Sequence, residues 1–394
     1  MKDLNEGLVE LCRSAIRIPS FSGQEKDMAE FMKQTMLDYG YDEVAVDRCG
    51  SVIGTIHGKK EGITILFDGH MDHVDVKDRE QWTHDPFSAE IVGDRIYGRG
   101  SSDMKGGVTA MVTAVAQFAN ETKRDFCGTL CVSCSVHEEC FEGIASREIS
   151  SRVKPDFVIV CEPTSNAIKI GQRGRVELCV KAEGVSCHSS TPEKGVNAVR
   201  QMLCVVGELD RVKQYTHPIL GKSMMELTDI ISSPYPGASV LPFLCQATYD
   251  GRILVGQTKE SVLADVQEAI DRAKEKNPGL KASCEISKGK ALCWTGEAIE
   301  AERFFPAWVV SEKQPFVRRA IDGMKRSGIP FEIAHFDFCT NASHFCGEAG
   351  IPTIGYGPSY EALAHVRDEY IEIPQLLKAS RGYYAMLEEL TAKP

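Results

Sequence analysis

The chain has 394 residues, a formal net charge of −11, 43% hydrophobic residues and 26% charged residues. That length exceeds one ordinary core, because domains usually hold about 100–200 residues, so two domains are expected. The acidic balance argues against a nucleic-acid partner, and no run of about 18 apolar residues is available to span a membrane.

The opening Met-Lys-Asp-Leu-Asn-Glu-Gly lacks an apolar signal segment, so a cytoplasmic location is expected. The 15 cysteines, an odd number scattered along the chain, suit reduced thiols better than a disulfide framework. Cys131, Cys134, Cys161 and Cys179 sit in apolar runs, where Cys acts as a small hydrophobe.

Leu4, Leu8, Leu11 and Ala15 have helical spacing, and Pro19 with the following Ser-Gly ends that helix. Short apolar runs at Ile63–Phe67, Leu130–Val136 and Phe157–Val160 read as buried strands, and Met104–Phe118 and Gly143–Val153 as helices. That alternation indicates an α/β layer with a mostly parallel sheet. Beyond residue 175 come a strand at Val176–Ala182, a helix at Val196–Leu209 and strands at Met225–Ile231 and Leu244–Leu254. An amphipathic helix at Thr258–Lys276 and a strand at Ala282–Ile286 complete a β-α-β-β-α-β, ferredoxin-like order. Residues 305–394 return to helix–strand alternation. The expected division is a catalytic α/β domain of residues 1–176 and 295–394 with an inserted α+β domain of residues 177–294.

Five clusters carry chemistry. His70 and Asp72, in Gly-His-Met-Asp after the first strand, are two apart and can meet, as a metal-bound His and its carboxylate partner do. Taken alone, they fit a satisfied surface His beside a loop Asp better. The Gly-rich turn Gly98–Gly107 precedes a helix, but Asp103 stands where a dinucleotide fingerprint needs Gly, which suits a cation rather than phosphate. Glu138 and Glu139 leave a buried strand side by side and repel unless a cation or proton relieves them, though an ordinary solvated loop fits as well. Glu162 follows another strand, held extended by Pro163, and His365 lies far along the chain. The strand-end positions share the edge where open α/β sheets bind ligands, and His with carboxylate suits zinc, manganese or cobalt.

The motifs Gly-His-Met-Asp, Gly-Arg-Gly-Ser-Ser-Asp-Met-Lys-Gly-Gly, His-Glu-Glu and Cys-Glu-Pro-Thr, in this order, resemble the M20 metallopeptidase family. That family includes glutamate-releasing carboxypeptidases, succinyl-diaminopimelate desuccinylases, acetylornithine deacetylases and aminoacylases. The resemblance extends over nearly the whole chain and implies a catalytic domain with an inserted lid that commonly dimerises. It implies His70, Asp103 and Glu162 as ligands of one metal, with Asp103, Glu139 and His365 holding a second. Asp72 is then the partner of His70, Glu138 the general base, and the peptide after Asp103 cis. It gives His188, in His-Ser-Ser-Thr-Pro, to oxyanion stabilisation, and Arg252, less strongly Arg173, to a substrate carboxylate. Either arginine also fits a surface ion pair.

Relatives often carry a Gly/Thr/Asp-rich loop before the last ligand, where this chain has Thr340-Asn341-Ala342-Ser343-His344. Asn341 is the substrate-binding candidate there. The nearest subgroup by resemblance is the selenium-metabolism-linked hydrolases. The expected function is hydrolysis of an amide in a small carboxylate-bearing substrate, an N-acyl amino acid or dipeptide, by a homodimer with two metal ions, zinc first and cobalt or manganese as alternatives. A ureido or cyclic-amide hydrolase of nitrogen or purine metabolism, or a non-catalytic binding protein on this fold, are the rival readings.

Overall fold

The computed structural model describes residues 2–392, with side chains from residue 5 onward. The chain forms two compact units. One comprises the residues up to Gln172, Lys290–Glu300 and those from Trp308 on, and the other comprises Arg173–Gly289 and Ala301–Ala307.

A nine-stranded sheet organises the first unit. Its centre is Lys60–His70, flanked in parallel by Cys127–Ser135 and Phe157–Val160. Thr353–Gly355 continues the parallel set beside Phe157–Val160. These strands carry nearly unbroken apolar runs because helices cover both faces of a parallel sheet. Ile65, Leu66, Phe67, Leu130, Val132, Phe157, Val158 and Ile159 are all fully buried. Glu43–Val46 and Val52–His57 add an antiparallel hairpin at one edge, and Ile168–Gln172 lies beside Thr353–Gly355. Neither the hairpin nor the last strand is evident from apolar runs, because their short mixed patterns resemble loop.

The helix expected at Met104–Phe118 begins later, at Gly106, and runs to Glu121. Residues 101–105 form an irregular turn with a cis peptide between Asp103 and Met104. The helix expected from Gly143 is shorter, Ser146–Val153. Lys290–Glu300 stays with the first unit because Trp294 donates its indole N–H to Gly50 O at 3.2 Å and Thr295 its hydroxyl to Arg48 O at 2.7 Å.

In the second unit the strands run in the order Met224–Ser233, Leu244–Ile253, Gly174–Glu183, Lys281–Ile286, all antiparallel. Alternate residues Val176, Leu178, Val180 and Ala182 are buried, which is the period-2 pattern of a sheet covered on one face. The helix Ala198–Leu209 places Ala198, Met202, Val205 and Leu209 on that face, and Lys259–Lys276 adds Val262, Val266, Ala269, Ile270 and Ala273. Thr258 caps the second helix by accepting Ser261 N–H. This is the β-α-β-β-α-β order read from the sequence.

Candidate metal centre

Parallel strands end on a common edge, and that topology gathers the first residues of the centre. His70 is the last residue of its strand and stands opposite Ser135, while Asp68 stands opposite Val160. His70, the His137–Glu139 turn and Glu162 therefore emerge side by side. Asp103 arrives by another route than the strand ends of the main sheet. It follows Arg95–Tyr97, which belongs to a separate three-stranded sheet with Ile91–Val92 and Tyr370–Glu372. The helix after it packs close to the main sheet: a Cβ on Gly107 would lie 2.1 Å from Cys161 O, so only glycine permits this approach. That approach sets Asp103 beside Glu162.

His70 Nε2 lies 3.0 Å from Asp103 Oδ1 and 3.8 Å from both Glu138 Oε2 and Glu162 Oε1. His365 Nε2 lies 2.8 Å from Glu139 Oε2 and 3.3 Å from Asp103 Oδ2. Asp103 thus touches a histidine with each oxygen. Two overlapping groups, His70–Glu138–Glu162 and His70–Asp103–Glu139, hold their donor atoms within 4.8 Å of one another. Glu139 Oε1 and Glu162 Oε2 are buried without a hydrogen-bond partner. Orphaned carboxylate oxygens facing two imidazoles fit a divalent cation, since buried polar atoms are ordinarily paired.

His70 Nδ1 donates to the carbonyl oxygen of Asp72 at 2.9 Å, which turns Nε2 towards Asp103 and Glu162. The Asp72 carboxylate has another task. Its Oδ1 accepts Glu138 N–H at 3.1 Å, and its Oδ2 accepts Glu139 N–H at 3.2 Å and the Ser22 hydroxyl at 2.7 Å. The expected carboxylate–imidazole pair is therefore replaced by a carbonyl–imidazole bond, with the carboxylate organising the Glu138–Glu139 turn.

The charges strain against burial. Burial pushes the Glu138 and Glu162 carboxyls well above the usual range, His70 opposing and neighbouring carboxylates adding to the rise. Glu139 is raised by burial and by Asp103. Burial opposes a charge on His70, yet Glu162, Asp103 and Glu138 together hold its proton far above the normal imidazole range. Hydrogen bonds that His365 donates to Asp103 and Glu139 raise it to about 10. Burial would raise Asp103, but the two histidines outweigh it and hold its carboxyl well below the ordinary value. Protons on imidazole thus supply the positive charge that so many carboxylates demand, and a metal ion would supply the same charge.

The other residues singled out from the sequence fall elsewhere. His188 is exposed in the second unit, its Nδ1 accepting Ser190 N–H at 3.1 Å. Arg252 lies in the same unit with Nε 3.0 Å from Asp250 Oδ2, and Arg173 donates to Lys222 O at 3.4 Å. Asn341 departs from its expected substrate-binding place. It is 3% exposed, and its amide protons go to Asp68 Oδ2 and Ser135 Oγ, both at 2.9 Å. Its Oδ1 accepts Gly143 N–H at 2.7 Å. Asn341 is a brace beneath the strand ends, with both donors committed.

Sequence reasoning missed Ser22 and Glu25. Glu25 is fully buried, accepts the N–H groups of Gly23 and His137, and is raised to about 7 by burial and by Asp72. Its segment, Ser20–Glu25, reads only as a helix stop, because nothing periodic marks it. Beside Glu139 and His365 opens a cleft of about 800 Å³, lined by Phe21, His73, Trp82 and Cys140.

The family model of Peptidase family M20/M25/M40 matches residues 66–389. The chain belongs to this family and is a metal-dependent hydrolase. It is 31% identical over 391 residues to the uncharacterized protein YgeY of Escherichia coli K12, covering 98% of this chain and 94% of that protein. It is 32% identical over 285 residues to succinyl-diaminopimelate desuccinylase 2 of a Ruegeria species, covering 68% and 70%. Among solved structures, aminopeptidase PepT of Bacillus cereus superposes with a TM-score of 0.76 at 19% identity, over 98% of this chain and 99% of that one. The dipeptidase Dug1p of Saccharomyces cerevisiae also gives 0.76, at 15% identity, over 100% and 97%. These two share the fold.

Proposed function

We propose that the protein hydrolyses an amide bond of a small carboxylate-bearing substrate, an N-acyl amino acid or dipeptide, with two divalent metal ions, zinc foremost. The observation that carries this is the contact of Asp103 with both His70 and His365, at 3.0 and 3.3 Å, amid three further buried carboxylates. His70, Asp103 and Glu162 would hold one ion, and Asp103, Glu139 and His365 the other. When bound, such ions polarise a carbonyl and lower the pKa of water towards neutrality.

The chain's own groups supply the rest. Glu138 is the general base. Its carboxylate stands at the edge of the cluster, 3.8 Å from His70 Nε2, and its backbone is held by Asp72. It accepts the proton of the attacking water and returns it to the leaving amine. Metal charge at the cluster would lower the Glu138 carboxyl from its raised position, making it a base near neutrality. His188, whose Nδ1 accepts a backbone N–H, carries its neutral-form proton on Nε2 and is suited to donate to a developing oxyanion. Arg252, and secondarily Arg173, offer a guanidinium to the substrate carboxylate.

The second unit we assign as lid and dimerisation module. Its edge strand Met224–Ser233 exposes Ile230 and Ile231, and Tyr235 beyond it is 79% exposed, a surface fit for a second copy. The odd number of cysteines, 15 scattered along the chain, supports a cytoplasmic location. Among the described residues no helix is long and apolar enough to cross a membrane. The Ruegeria relative is named as a desuccinylase of succinyl-diaminopimelate, an N-acylated amino acid, which favours deacylation within the class.

The test is elemental analysis of the purified protein paired with hydrolysis of N-acyl amino acids, dipeptides and ureido acids, with zinc, manganese or cobalt added. About two ions per chain and turnover of an acyl or peptide member support the proposal. Turnover of ureido acids alone replaces the substrate class, and no metal under any loading overturns the centre.

A further inference from the structure

A second buried carboxylate grips the turn that carries Asp103. Glu369 is fully buried and lies on the loop that also carries His365. Its Oε1 accepts Ser102 N–H at 2.8 Å and Asp103 N–H at 3.0 Å. Its Oε2 accepts Gly100 N–H at 3.2 Å and the Arg99 guanidinium at 2.6 Å. Its backbone carbonyl accepts Gly98 N–H at 2.8 Å. One residue thus receives four of the six backbone N–H groups from Gly98 to Asp103. Arg99 is 4% exposed, lies 5.1 Å from the Trp82 ring, and reaches His365 O with its second amino group at 3.5 Å. The pair therefore ties the Asp103 turn to the His365 loop from below. Charge alone does not demand a carboxylate here, because Arg99 could pair elsewhere. The convergence of backbone donors does demand one, since only a carboxylate offers acceptors on both oxygens.

We propose that Glu369 is a positioning residue of the metal centre. By collecting the N–H groups of Gly100, Ser102 and Asp103 together with Arg99, it sets Asp103 against His365 and so determines the affinity of the ion held by Asp103, Glu139 and His365. This rests on the two-ion reading above. Residues that orient ligands commonly govern affinity without touching the ion. In Glu369→Gln the side-chain NH₂ must face either Arg99 and Gly100 or Ser102 and Asp103, so one side meets donor with donor.

The experiment is zinc titration of metal-free full-length protein against a chelating dye, with circular dichroism of each variant. Glu369→Gln is expected to weaken one site, that of Asp103, Glu139 and His365, by about 10–100-fold and the other, which shares only Asp103, by a smaller factor. Arg99→Lys keeps the charge but loses the fork, and should weaken the same site to a smaller degree. Glu348→Gln, an ion-paired carboxylate in the same unit that touches none of the proposed ligands, controls for simple destabilisation and should leave both sites unchanged. A folded Glu369→Gln that binds both ions like wild type, or weakens both equally, overturns the inference. If Glu369→Gln does not fold, Arg99→Lys decides: unchanged binding at both sites overturns it. Wild type that binds fewer than two ions removes the two-ion reading itself, a separate and distinguishable failure.

Discussion

His70 gives its Nδ1–H to the backbone carbonyl of Asp72, at 2.9 Å, and the Asp72 carboxylate oxygen stands off at 3.6 Å. The ring orientation is thus a property of the backbone, while the carboxylate serves the Glu138–Glu139 turn. This separation has a consequence for Asp72→Asn. An amide offers one acceptor oxygen, so its nitrogen must face Glu138 N–H on one side or Glu139 N–H and Ser22 on the other. The imidazole contact survives. Turnover should fall while the His70-containing site retains zinc, which kcat measured beside zinc titration will show. Loss of zinc with little further loss of kcat would return the carboxylate to a direct role on His70.

Glu138→Gln removes the proton acceptor and leaves the volume and the backbone hydrogen bond to Asp72. The fold and metal content should persist, and kcat should drop by about 100- to 10,000-fold, the usual contribution of a general base. Steady-state kinetics with metal analysis of the same sample checks this. Turnover close to wild type would sink the assignment of Glu138.

Asn341→Ala leaves Asp68 without one of its donors and strands Gly143 N–H. Each buried group left unpaired costs about 1–3 kcal/mol, so urea denaturation should show a clear loss of stability, with KM little changed in the surviving enzyme. A raised KM with stability intact would instead make Asn341 a substrate residue.

Glu348 offers a pH test remote from the centre. Burial opposes its charge, but His344 and Arg147 outweigh that and lower its carboxyl to about 2. The Oε2 lies 2.8 Å from His344 Nδ1 and 2.9 Å from Arg147 Nε. A folded-state value below the unfolded one, 4.5, means the contribution is fully present above that value and is lost as pH falls from 4.5 towards 2. Wild type should therefore exceed Glu348→Gln in unfolding free energy near neutrality, and the gap should close through that acid window. A gap that is constant with pH would show that the pairing contributes nothing through ionisation.

Removal of metal leaves Glu138, Glu139, Asp103 and Glu162 to be neutralised by protons alone. Zinc at about 100 times its Kd should raise the unfolding free energy of the apo protein by about 2.7 kcal/mol per site. Thermal melts across a zinc series measure this, and melts indifferent to zinc would contradict a built metal centre.

Much of the centre is legible in the chain because topology obliges it. Short apolar runs such as Phe157–Val160, bounded by turn residues, read as strands buried on both faces, and in a parallel sheet their ends share one edge, so residues after them converge there. Periodicity likewise exposes Val176–Ala182 and Thr258–Lys276, because one-sided burial writes period 2 on a strand and 3.6 on a helix. Local pattern does not determine which acceptor a given donor meets. His70 could bond the carbonyl or the carboxylate of Asp72. Asn341 could face the cleft or the strand ends, and Ser22, Glu25 and Glu369 bear no periodic mark at all. Those choices depend on backbone orientation and on contacts between segments far apart in the chain, such as Glu369 with Gly98–Asp103, and only the packed tertiary structure decided them.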